Sequence, residues 1–67
     1  MKVKEAIKEL EISPEDTIFI RQYNKAGEDI YIVQDLDKSI LNKKIKLIQG
    51  NYGGKEYGYC CYRFILV

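Results

Sequence analysis

Histidine is absent from these 67 residues. Its absence removes the usual general base, the commonest metal ligand and any Ser–His or Cys–His nucleophile pair. Cysteine occurs twice, as the neighbours Cys60 and Cys61. Consecutive strand residues point to opposite faces, so a disulfide between them would be strained. Two cysteines with no further Cys or His cannot close a tetrahedral zinc site within one chain. Free thiols suit a reducing cytoplasm. No apolar run approaches the roughly 20 residues needed to cross a bilayer, and the charged Met1–Glu5 start does not read as a signal peptide. A cytoplasmic location without membrane contact is the expectation.

Phosphate and acid–base signatures are missing as well. Gly50, Gly53 and Gly54 are followed by Lys55, but the Walker spacing is not there and no helix follows, so the stretch reads as a hairpin tip. Glu15, Asp16, Asp35 and Asp37 all fall in turns, whereas paired catalytic carboxylates need a fixed separation across a cleft. The sequence points to no enzyme and no cofactor.

What is present is a single globular domain over residues 1–67. Hydrophobic residues make up 46% and charged residues 31% of the chain, a balance that supports a folded core. A chain of about 60 residues buries only about 60% of its unfolded surface, which leaves room for one sheet covered on one side. The formal net charge of +1 hides an asymmetry. Residues 1–37 carry five basic and nine acidic side chains, and residues 38–67 carry six and one. The second half therefore offers Lys38, Lys43, Lys44, Lys46, Lys55 and Arg63 as a basic edge.

Val3, Ala6, Ile7 and Leu10 recur at i, i+3, i+4 and i+7, which predicts a helix over residues 2–11. Ser13-Pro14 stops it. Residues 17–23 and 29–34 read as two strands around the turn 24–28, where Gly27 can take a positive φ. Residues 35–42 form a connector with a short helical turn, Asp37 its N-cap and Asn42 its stop. Residues 43–49 and 57–67 make a second hairpin. The predicted fold class is α+β: an N-terminal helix packed on one face of a four-stranded antiparallel sheet.

Strand alternation assigns the faces. The helix is expected to cover Ile18, Ile20, Ile30, Ile32, Ile45, Leu47, Tyr62, Phe64 and Leu66. The far face then carries Phe19, Arg21, Tyr23, Tyr31, Val33, Lys44, Lys46, Ile48, Tyr57, Tyr59, Cys61 and Arg63, with no element left to cover it. Large exposed apolar patches mark binding surfaces, and Tyr and Arg anchor protein interfaces. Phe19, Arg21, Tyr23, Tyr31, Lys44, Lys46, Tyr57, Tyr59 and Arg63 are the candidate partner-binding residues. Exposed tyrosines with no ligand, as in a purely structural homodimer, are the plainer account.

The opening Met1-Lys-Val-Lys-Glu-Ala-Ile-Lys-Glu-Leu10 leads through a turn into the hairpin Thr17-Ile-Phe-Ile-Arg21 and Asp29-Ile-Tyr-Ile-Val33. With Leu41-Asn-Lys-Lys-Ile-Lys46 ahead of the closing strands, this resembles a group of short prophage accessory proteins of Gram-positive bacteria. The closing Tyr57-Gly-Tyr-Cys-Cys-Tyr62 departs from their pattern. Such proteins include inhibitors of host defence, among them anti-CRISPR proteins, and sponges for nucleotide signals. The resemblance implies a non-enzymatic binder acting in the host cytoplasm on a protein partner, a host defence factor, through the aromatic–basic face. Self-association as a homodimer belongs to the same reading. The alternative is a nucleotide or nucleic-acid binder on that face, with Lys44, Lys46 and Arg63 reaching phosphates.

Overall fold

In the computed structural model, which describes residues 1–50 and 62–67, the helical stripe at the start of the chain becomes α1, Val3–Glu9. It begins at Lys2, whose backbone N–H donates to Glu5 Oε1 at 2.7 Å. This is half of a capping box; the other half needs an accepting side chain, which lysine lacks. The helix ends before Pro14 is reached. Ile12 N–H donates to the Ile7 carbonyl (3.0 Å) and Glu11 N–H to the Lys8 carbonyl (3.2 Å), a Schellman closure with Glu11 in the left-handed region at φ 54°. That reversal turns Ile12, 7% exposed, into the core.

β1 (Thr17–Gln22) and β2 (Asp29–Ile32) form the expected hairpin, with Gly27 at φ 86° in its loop. A 3-10 turn over Val33–Asp35 follows, then α2 (Lys38–Leu41). Asp37 is its N-cap, accepting from the Ile40 N–H at 3.0 Å, and Asn42 is its C-cap. The Ser39 hydroxyl and then the Ile40 amide hold the Asp37 carboxyl below its ordinary value. β3 (Ile45–Gln49) and β4 (Tyr62–Leu66) pair antiparallel and complete the sheet.

The α+β class stands, but the sheet is mixed rather than wholly antiparallel. Its order is β2-β1-β4-β3, and the central pair β1–β4 is parallel. Placing β4 in the middle buries the most apolar strand and leaves β3 at the edge, with Lys43 and Lys44 leading into it and Lys46 within it, where charge discourages further pairing. The β3 edge is also bridged by the N-terminus: Val3 N–H donates to the Lys43 carbonyl (3.0 Å) and Ile45 N–H to the Met1 carbonyl (2.8 Å).

Val3 and Ala6 of α1 belong to one buried cluster with Ile12, Ile18, Ile20, Leu36, Phe64 and Leu66. Phe64, Ile18 and Val3 are its largest fully buried side chains. Burying each contributes about 1.5–3 kcal/mol. Gly50 lies under the ring of Tyr62, where a Cβ would stand 2.6 Å from Cε1.

Two face assignments differ from the sequence expectation. In β2 the phase is inverted: Tyr31 and Val33 pack against the core, while Ile30 and Ile32 are 63% and 42% exposed. The pairing of Tyr31 with buried Ile18 sets this, since directly opposed residues share a face. In β3 a register shift between Ile45 and Leu47 puts Ile45 and Ile48 on the core side and leaves Leu47 50% exposed. A bulge inserts one residue, so every side chain beyond it changes face.

Candidate interaction surface

The far face is built in rows across the strands. Ile30, Phe19, Arg63 and Gln49 lie side by side from β2 to β3, and Arg21, Ile65 and Leu47 form the next row. Ile32 stands beside Thr17 in a third row. The surface is thus aliphatic at both flanks, with the guanidinium groups of Arg21 and Arg63 on its two inner strands. Among the described residues Tyr23, Ile30, Ile32 and Leu47 are each between 42% and 63% exposed.

Arg63 is held on several sides. Its Nε donates to Glu28 Oε1 at 2.6 Å, its Nη2 to Glu28 Oε2 at 3.1 Å and its Nη1 to Gln49 Oε1 at 3.2 Å. The guanidinium carbon lies 5.8 Å from the centroid of the Phe19 ring, at the outer range of a cation–π contact. Two parallel N–H···O bonds from Arg to carboxylate fix orientation as well as charge. The Arg63 hydrogen bond, and then the charges of Arg63 and Arg21, lower the Glu28 carboxyl below its ordinary 4.5 against a smaller opposing effect of desolvation.

Because the folded-state pKa is depressed, the pair stabilises the fold above the ordinary carboxylate value and is lost as pH falls through the lowered one. Glu28→Gln should therefore reduce stability at neutral pH by less than about 1 kcal/mol, the two side chains being 28% and 29% exposed. The difference should vanish in acid. Thermal midpoints of both proteins across an acid-to-neutral series measure it, and a gap that persists in acid contradicts it.

The other predicted cations and rings are distributed unevenly. Lys46 Nζ stands 4.2 Å from the Tyr23 ring centroid, a closer cation–π pair at the sheet margin. Exposed Arg21 donates from Nε to the Lys25 carbonyl at 3.4 Å. Lys44 is exposed at the β3 edge, opposite Lys2, away from the Arg63 row. Tyr31 does not belong to the surface; it packs on the core side. Tyr57, Tyr59 and Cys61 lie outside the described residues.

The sequence reading missed Glu28, Gln49, Ile30, Ile32 and Leu47 as members of this face. Glu28 lies 35 positions from Arg63, and no local pattern announces such a pair. The described residues contain no group of three or more Cys, Asp or Glu placed to hold a metal, and no described helix is long and apolar enough to cross a membrane. No family model, no curated protein and no solved structure matches the chain.

Proposed function

We propose that this protein acts by binding, not catalysis, and that its far sheet face docks on another protein. The observation that carries the reading is the exposure of Tyr23, Ile30, Ile32 and Leu47 around the fixed Arg63–Glu28 pair. An apolar surface with an oriented, half-exposed arginine is the composition of a protein-binding centre. The resemblance to prophage accessory proteins makes a host defence factor the expected partner and the host cytoplasm the place of action.

The nucleic-acid alternative is less well supported by this geometry. Arg63 is neutralised by Glu28, and Lys44 sits apart at the edge. Among the described residues Lys46 and Arg21 remain beside the rings to meet a phosphate, and affinity for polyanions scales with the number of such contacts.

The test is phage infection of bacteria carrying one defence system at a time, CRISPR systems included, with and without this chain. The wild-type chain should restore plaques on at least one defended host. Leu47→Asp and Tyr23→Ala, each checked for an unchanged thermal midpoint, should weaken capture of that defence protein about tenfold or more and abolish the rescue. Failure of the wild-type chain against a broad panel removes the inhibitor reading. Full activity in both variants removes the face.

A further inference from the structure

The two edges of this sheet are treated differently. The β3 edge is bulged, carries Lys46 with Lys43 and Lys44 just before it, and is bridged by Met1–Val3, which are recognised ways of preventing edge-to-edge association. The β2 edge has none of them. It is a regular four-residue strand, Asp29-Ile-Tyr-Ile32, without lysine, proline or bulge, and no strand lies beyond it among the described residues.

We propose that two copies of this chain join through this edge, β2 against β2 in antiparallel alignment, forming one continuous eight-stranded sheet. The backbone limits the register. The Val33 N–H donates inward to the Asp16 carbonyl at 2.9 Å, so by antiparallel alternation residues 29, 31 and 33 face β1 while Ile30 and Ile32 direct N–H and C=O outward. The Ile30 backbone has no bond among the turns, loops and caps, and neither has the Ile32 N–H; the Ile32 carbonyl, as N-cap of the 3-10 turn, accepts the first bond of that turn and keeps its second lone pair. A two-fold axis through Tyr31 sets Ile30 opposite Ile32 of the second copy and Ile32 opposite its Ile30. The outward Ile30 amide and carbonyl and the Ile32 amide of each copy then gain partners, the Ile32 carbonyl accepting through its second lone pair.

This register also keeps like faces together. The exposed side chains of Ile30 and Ile32 meet their counterparts on the far face, and the two Tyr31 rings meet at the axis on the core side. Asp29, the one charge on the strand, falls opposite Val33, so no like charges oppose each other across the seam. Shifting the axis to Ile32 would require Ile30 to bond Gln34, which lies in the 3-10 turn and donates its N–H to the Pro14 carbonyl (3.0 Å), whereas Val33 is asked for no bond across the seam. The interface is isologous, as a two-fold dimer requires.

Sedimentation equilibrium from micromolar to millimolar chain, with Ile32→Pro as the variant, tests the proposal. Ile32 already has φ −81°, close to the proline value, and its N–H points outward, so the ring blocks the seam without removing a β1–β2 hydrogen bond. The wild type should approach twice the 7.9 kDa chain mass, and Ile32→Pro should stay at one chain mass with an unchanged circular dichroism spectrum. Leu47→Asp should still dimerise, which separates this seam from the partner-docking reading of the far face. A wild-type chain that stays monomeric throughout, or an Ile32→Pro chain that dimerises, overturns the proposal. Should Ile32→Pro fail to fold, amide exchange of the wild type decides. Slowing of the Ile30 and Ile32 amides by about tenfold or more between dilute and concentrated samples supports the seam, and concentration-independent exchange refutes it.

Discussion

Phe64→Ala should leave the chain largely unfolded at room temperature. Phe64 is fully buried at the centre of β4, one of the two inner strands of the sheet, and it shares the cluster of Val3, Ala6, Ile18 and Ile20. Truncating a buried phenylalanine costs about 3–5 kcal/mol, because the transfer energy is lost and a cavity remains. A core in a chain below about 70–80 residues rarely supplies more than 3–5 kcal/mol in total. The two quantities are equal in size, so the loss is expected to consume the whole margin. Urea titration followed by far-ultraviolet circular dichroism, at concentrations low enough to keep any dimer dissociated, reads the result. A cooperative transition close to that of the wild type would mean that Phe64 is not where the stability resides.

The second large effect is a contrast between two isoleucines. Ile18→Ala should cost about 2–5 kcal/mol, since Ile18 is wholly buried. Ile30→Ala should stay within about 0.5 kcal/mol of wild type, as expected for a surface change away from special features. Strand alternation alone places both residues on the covered face and predicts equal damage. Chemical denaturation of the pair is therefore a direct measurement of the phase of β2. Equal destabilisation would restore the original assignment and with it Tyr31 as a surface residue.

Why alternation succeeds in β1 and β4 but not in β2 and β3 has a simple physical origin. In β1, Ile18 and Ile20 alternate with Thr17 and Arg21, so the polar positions fix the phase. β4 offers Phe64 and Leu66 beside Arg63, with the same consequence. In β2 the run Ile30-Tyr-Ile-Val33 is apolar at every step, and either face could be buried. The choice is made by the register against β1, a tertiary fact with no local signature. In β3 the sequence Ile45-Lys-Leu-Ile48 alternates correctly for two residues and then breaks, because one extra residue is accommodated opposite β4. Nothing in the composition marks the insertion point.

The caps show the same division. Asp37 and Asn42 act through side chains of recognisable type, and both positions were legible. The end of α1 was not, because Glu11 occupies a left-handed position that glycine ordinarily takes, and Ser13-Pro14 offered a more conspicuous stop slightly downstream. As for the surface, a bare far face with Phe19, Arg21, Tyr23, Lys46 and Arg63 could be read from the sequence. Its aliphatic flanks and the neutralisation of Arg63 depend on the mixed order of strands and on a carboxylate far away in sequence.

The parallel centre of the sheet bears on how the protein is made. Gln22 at the end of β1 donates from its side chain to the carbonyl of Val67, 45 positions away. A ribosome therefore delivers the β1–β2 hairpin long before the strand that must lie beside it. An isolated two-stranded ribbon is marginal in water, and loop closure over such a distance is slow compared with local pairing. Until β4 arrives, the nascent polypeptide shows Ile18, Ile20 and an open strand edge to the cell, and its half-synthesised form is the one most exposed to proteases and chaperones.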